Sequence, residues 1–84
     1  MTREEIREVV LSILAGIAPE IDVEEIRPGA DLRDELDIDS MDFLNLVTAL
    51  HERLDLDIPE IDYPNLATFG HTVDYLTQRL ASAP

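Results

Sequence analysis

Ser40 is the side chain in this sequence best placed to do chemistry. It follows Asp39, and apolar residues at helical spacing follow it: Phe43, Leu44, Val47, Leu50 and Leu54, with Leu46 beside them. That pattern predicts a helix that begins at Asp39-Ser40, capped by Asp39, with Asp42 in a first turn where the helix dipole favours negative charge. Taken alone, a serine at a helix start is an ordinary cap, so its wider setting has to decide. Other chemistry is poorly provided for. The chain has no cysteine, which removes disulfides, thiolate nucleophiles and zinc–cysteine sites. His51 and His71 have no His or Cys at ligand spacing; both read as surface residues, and no metal site is expected. No nucleophile–base pair or glycine-rich phosphate loop is present, so an enzyme is not expected.

Acidic helical chains invite comparison with calcium loops, which need acids at alternating positions, glycine at the sixth and glutamate at the twelfth. Counted from Asp37, the fifth position is Met41, the sixth Asp42 and the twelfth Thr48; counted from Asp31, the third is Arg33. The pattern fails. Weak divalent binding to the acidic surface would still stabilise the fold by relieving repulsion.

The charge is the strongest bulk feature: 19 acidic residues against 6 arginines, a net −13 over 84 residues. From Glu20 to Asp62 there are fifteen acids and three arginines (Arg27, Arg33 and Arg53), which is −12 of that total. Nucleic acid is excluded as a partner, because counterion release has no basic patch to drive it. Basic protein surfaces are the natural partners, and they should meet the middle of the chain. Apolar content of 45% in a regular pattern argues against a disordered acidic tail. A chain of this length makes one domain, residues 1–84, whose thin core leaves little room for a deep catalytic cleft. Met1-Thr2-Arg3-Glu4-Glu5 runs straight into an amphipathic pattern, so neither a leader nor a membrane span is expected. A cytoplasmic location is expected.

The elements that must position Ser40 follow from periodicity and caps. Ile6, Val9, Val10, Ile13, Leu14 and Ile17 share one helical face. Thr2 and Glu5 form a capping-box pattern, and Pro19 stops the helix. A long connection, roughly Glu20 to Ile38, carries a Pro28-Gly29 turn; Leu32 and Leu36, with Ile26, are spaced to pin it to the core. The Ser40 helix ends near Leu54-Asp55. Leu54 to Pro59 reads Leu-Asp-Leu-Asp-Ile-Pro, and a short third element follows around Asp62 to Leu66, with Asp62 as its cap and Pro64 confined to its first turn. Thr68 caps a fourth helix with Phe69, Val73, Leu76 and Leu80 on its face and Tyr75 half-buried, and residues 81–84 should fray. The fold class is all-α: three main helices and one short one.

The segment Glu35-Leu36-Asp37-Ile38-Asp39-Ser40-Met41-Asp42-Phe43-Leu44 resembles the modification-site signature of acyl carrier proteins, the phosphopantetheine-binding carrier family. The Asp-Ser-Met triplet is common by itself. The resemblance rests on its place after a helix of about fifteen residues and a long anchored loop, and before the Leu-Asp-Leu-Asp-Ile-Pro connector, a short helix and a Thr-capped helix. It spans essentially the whole chain. It implies a small four-helix bundle that carries acyl intermediates of fatty acid, polyketide or a specialised lipid biosynthesis as thioesters on a 4'-phosphopantetheine arm attached to Ser40. A phosphopantetheinyl transferase would transfer that arm from coenzyme A, and Asp39 and Met41 flank the attachment point. The position suits the group, because the first-turn N–H groups and the dipole would favour a phosphodiester there. With no cysteine in the chain, the thioester must use the arm's own thiol.

The resemblance also assigns surfaces. Partner recognition would fall to Asp37, Asp42, Asn45 and Glu52, facing acyl-transferring or condensing enzymes with basic surfaces. The acyl-chain pocket would draw on Phe43, Leu44, Val47, Leu50, Ile58, Tyr63 and Leu66. Three departures bear on specificity. Asn45, His51 and Arg53 stand where carriers of fatty acid synthesis often have acids, which points towards a dedicated carrier for a specialised pathway or towards unusual partners. Asp37 stands where many carriers have glycine, in a turn that aspartate tolerates moderately. Pro64 shortens or shifts the third helix, and Tyr63 and Phe43 are bulky near the chain path. A peptidyl or D-alanyl carrier, or an unmodified acidic helical adaptor, remains open as an alternative. A monomer is expected.

Overall fold

Thr2 opens the first helix in the way its spacing predicts. Its hydroxyl accepts from the Glu5 N–H at 3.2 Å, and the Glu5 carboxylate accepts from the Thr2 N–H at 2.9 Å. The bonds to Thr2, backbone first and side chain second, hold the Glu5 carboxyl below its ordinary pKa. The computed structural model describes residues 1–82. Helix α1 runs Arg3–Ile17, a 3₁₀ turn covers Val23–Glu25, α2 runs Ser40–Leu54, a 3₁₀ helix covers Glu60–Leu66 and α3 runs Phe69–Ser82. Of the residues expected to fray, Ala81 and Ser82 are helical, and Ala83 and Pro84 lie outside the described residues.

Helix α1 packs on both α2 and α3, and the second 3₁₀ helix packs on α3. Ile6, Val10 and Leu14 of α1 meet Leu46 and Leu50 of α2, Leu66, and Leu76 of α3 in one core; all are fully buried. Val9 and Ile17 flank that core half-buried. On α2 the buried face is Leu46, Val47, Leu50 and Leu54. Leu44, expected on that face, is 47% exposed. It lies two residues before Leu46, about 200° round the helix at 3.6 residues per turn, so packing centred on Leu46 turns it outward.

The second 3₁₀ helix spans seven residues, with Pro64 fifth among them rather than in its first turn. An α-helical register would set the Pro64 ring against the carbonyl of Glu60 and leave that carbonyl without its donor, so the tighter turn results. Asp62 does not cap this element. Its N-cap is Pro59, without a side-chain bond, and Asp62 lies two residues inside.

The long connection is ordered by the start of α3. The Phe69 and Gly70 N–H groups, which have no partner within the helix, donate to the carbonyls of Ala30 at 3.0 Å and Pro28 at 2.7 Å. The His71 N–H donates to the Thr68 hydroxyl at 3.1 Å, the cap expected of Thr68. Leu32 N–H donates to Ala67 O at 2.9 Å, within an isolated antiparallel bridge between Asp31 and Thr68. Leu32 and Ile26 are buried anchors, as expected; Leu36 is half-buried, and Ala30 and Ile38 complete the set. Thr72 is fully buried, and its hydroxyl donates to Leu66 O and Thr68 O.

Gly70 lies where loop and helix meet. A Cβ there would stand 2.8 Å from the carbonyl oxygen of Pro28. Alanine in a helix ordinarily gains about 1 kcal/mol over glycine. Here the contact is with backbone that is itself hydrogen-bonded, and such overpacking costs about 1–3 kcal/mol. Gly70→Ala should therefore lower the midpoint of urea unfolding, with backbone NMR shifts concentrated in residues 28–32. A raised midpoint would show that the loop yields without loss.

Candidate functional site

Asp39, with extended backbone, accepts the Asp42 N–H on Oδ1 at 2.8 Å and opens α2 as expected. Ser40 is then the first helical residue, exposed at the mouth of a groove. The residue two before the cap, Asp37, has φ 54°, the left-handed region that aspartate tolerates better than most residues. That turn brings the buried Ile38 into the core and leaves Asp39 and Ser40 outside.

Arg33 reaches Ser40 from the loop: its guanidinium Nη2 donates to Ser40 Oγ at 2.9 Å. Sequence spacing alone does not bring Arg33 to Ser40, seven residues away. The Arg33 backbone is fixed by Asp31, whose Oδ1 accepts both the Arg33 and Asp34 N–H groups at 2.9 Å. The only warning in the sequence was that Arg33 is the sole basic residue between Pro28 and Leu50.

The groove beside Ser40 has a volume of about 450 Å³ and is lined by Arg33, Ser40, Phe43, Leu44, Glu60, Tyr63, Pro64 and Ala67. Its walls are thus the first turns of α2 and the second 3₁₀ helix. Phe43 and Tyr63 meet edge to face across it, centroids 5.6 Å apart. Of the residues assigned to an acyl pocket, Phe43, Leu44 and Tyr63 come together here. Val47 and Ile58 line a separate cleft of about 210 Å³ with Thr48, His51 and Asp57. Leu50 and Leu66 lie in the closed core.

Met41 is 68% exposed, next to Ser40. Asn45, Thr48 and Glu52 continue from Met41 along the solvent face of α2; Asp37 is exposed before the helix, and Asp42 is half-buried. That face carries few acids, so the dense charge lies in the loop that precedes it. His51 is exposed, with Nδ1 3.0 Å from Leu56 O; a carbonyl only accepts, so that nitrogen carries the proton and helps close the end of α2. Among the described residues, no three His, Asp or Glu side chains converge as a metal site. No described helix is long and apolar enough to cross a membrane.

The model for the phosphopantetheine attachment site matches residues 8–76. The chain belongs to the acyl carrier protein family. The acyl carrier protein of Acidothermus cellulolyticus is 31% identical over 83 residues, 99% of this chain and 98% of that protein. The solved structure of the acyl carrier protein from Enterococcus faecalis superposes with a TM-score of 0.81 at 26% identity, covering 94% of this chain and 99% of that one. An acyl carrier protein is a carrier rather than an enzyme, and its cofactor is 4'-phosphopantetheine, added by a phosphopantetheinyl transferase. The start of α2 fits that group: it offers an exposed hydroxyl, first-turn N–H groups and one cation.

A polar latch holds the groove's outer wall to α3. Tyr75 OH donates to Asp62 Oδ2 at 2.6 Å, and Arg79 contacts both Tyr75 OH and Asp62. Arg79 Nη2 also donates to Asp57 O at 2.8 Å. Burial first, then the bond to Asp62, pushes the Tyr75 hydroxyl above its ordinary pKa, with the Arg79 charge opposing. A raised folded value means that this stabilisation is complete below the ordinary tyrosine range and is lost as pH rises through the raised value. Asp62→Ala removes two raising influences, so the Tyr75 ionisation step followed by ultraviolet absorbance should move down in pH. The same change should lower stability by about 1 kcal/mol, since the groups are partly exposed. An unmoved step would detach Asp62 from the latch.

Proposed function

We propose that Ser40 is the attachment point of the arm and that the chain presents acyl groups to enzymes with basic docking surfaces. One observation carries this reading: Ser40 Oγ is an exposed hydroxyl at the first turn of α2, opening onto the apolar groove of Phe43, Leu44 and Tyr63. In the transfer, Ser40 Oγ attacks the pantetheine-bearing phosphorus of coenzyme A. The new Oγ–P bond replaces the phosphoanhydride P–O bond, adenosine 3',5'-bisphosphate leaves, and the hydroxyl proton passes to a base of the transferase. Asp39 spends one carboxylate oxygen on the cap, and its exposed other oxygen suits a divalent cation in the transferase. When attached, the arm supplies the thiol that this cysteine-free chain lacks.

The acids at Asp37, Asp42 and Glu52, with Met41 and Asn45 between them, form the partner surface. Their charge steers a basic enzyme face, and the flexible Met41 thioether adapts to more than one of them. A groove of about 450 Å³ beside a closed core suits short cargo, since Leu50 and Leu66 leave no open path inward. A cytoplasmic setting accords with the transferase and coenzyme A that the reaction needs. Peptidyl and D-alanyl carriers would use the same serine, so cargo is the remaining choice.

Incubation with coenzyme A, magnesium and a broad-specificity phosphopantetheinyl transferase, followed by intact mass measurement, tests the site. A phosphopantetheine-sized gain is expected in the wild type and not in Ser40→Ala. A gain in both would move the arm to another residue. No gain in a folded wild type, across several transferases, would favour an unmodified adaptor.

A further inference from the structure

Arg33 stands among carboxylates that it does not engage. Between residues 31 and 42 the sequence places Asp31, Asp34, Glu35, Asp37, Asp39 and Asp42. Among the described residues the ion pairs within 4 Å are Arg3–Asp74, Arg7–Glu4 and Arg79–Asp62. The Arg33 guanidinium is directed instead at a neutral hydroxyl, Ser40 Oγ. The backbone explains part of this. The Asp31 carboxylate is turned towards the Arg33 and Asp34 N–H groups, Leu32 is buried, and Leu32 N–H is tied to Ala67 O. Arg33 therefore leaves the loop from a fixed base and extends over the start of α2.

Resting on Ser40 as the attachment point, we infer that Arg33 is the counter-ion of the phosphodiester formed there and holds the root of the arm over the groove. A phosphodiester adds a negative charge to a region that already carries six carboxylates and one arginine. Without a cation the like charges would drive it away from the surface. The first-turn N–H groups of α2 favour an anion, and Arg33 adds a full charge within hydrogen-bond reach of the ester oxygen itself. A guanidinium presents several N–H donors in a fixed plane that suits phosphate oxygens; only one is committed to Ser40 Oγ. Arg33 also lines the groove with Phe43, Leu44 and Tyr63. An arm paired with it is directed along those side chains rather than out into solvent. Arg33 is thus a positioning residue for the carrier, and its fixed backbone makes that position repeatable.

The test uses full-length wild type, Arg33→Ala and Arg33→Lys, each treated with coenzyme A and the transferase. Intact mass reports loading, and phosphorus NMR of the loaded proteins reports the phosphodiester. Loading is taken to completion by intact mass in each protein with excess transferase, and all three should keep the same far-UV circular dichroism, since Arg33 is exposed. The wild-type phosphorus resonance should move as NaCl is raised to 1 M, where screening acts within about 3 Å. In Arg33→Ala most of that salt response should be lost, with the resonance near the wild-type high-salt position. Arg33→Lys should fall between, because an ammonium keeps the charge without the planar fork. It decides the matter alone if the alanine variant loses helical signal. Equal resonances and equal salt responses in all loaded proteins would overturn the Arg33 assignment while leaving Ser40 in place. A wild type that does not load would overturn the Ser40 reading and this inference with it.

Discussion

A long loop in a small domain must satisfy its own backbone, and here it does so on the N-terminus of α3. The first turn of a helix has N–H groups without internal partners, and the loop offers carbonyls at Pro28 and Ala30 that take two of them. Neither side needs a strand or an extra helix to close. The contact demands that loop and helix backbones approach closely, which is why position 70 has no side chain. The Asp31–Thr68 bridge beside it fixes the register, so that Leu32 reaches the core and Arg33 does not.

From that docking the site follows by short steps. Asp31 folds the next turn around its own carboxylate. Asp37 then reverses the chain through the left-handed region, and Asp39 caps the helix that starts at Ser40. Acids suit the first and third positions because a short carboxylate can accept local N–H groups where a longer side chain cannot, and the second because aspartate tolerates the left-handed region better than most residues. Part of the −13 charge is therefore structural in this stretch as well as useful for solubility and for meeting basic partners.

This division explains what could be read in advance. Helix boundaries were legible because caps and apolar spacing are local: Thr2 with Glu5, Asp39, Thr68 and Pro19 all act within a few residues. The exposed serine that opens α2 was legible through the Asp39 cap before it and the apolar spacing after it. The partner that reaches it was not, because Arg33 is seven residues away and its direction depends on a bridge to Thr68 and on the burial of Leu32. Leu44 misled for a related reason. Apolar spacing gives an arc wider than the face that α1 covers, and only packing selects its centre. Asp62 looked like a cap by type, but Tyr75 and Arg79 on α3 take its carboxylate.

The groove's two walls are held by different forces, and this bears on how a carrier can both enclose and release cargo. The α2 wall is anchored by Leu46, Val47, Leu50 and Leu54, whose exposure to water would cost about 1.5–3 kcal/mol for each large side chain. The 3₁₀ wall has one buried residue, Leu66. Its other ties are the edge contact of half-buried Tyr63 with Phe43 and two polar ones, the Thr72 hydroxyl on Leu66 O and the Asp62–Tyr75–Arg79 latch. Polar ties exchanged for water lose only about 1 kcal/mol each on balance. Ile61, on the same element, is 84% exposed and resists no outward movement. Pro64 keeps the segment from winding into a stiffer α-helix. Of the two walls, the 3₁₀ helix is therefore the one that yields at smaller cost, while α2 keeps Ser40 and its helix dipole in place.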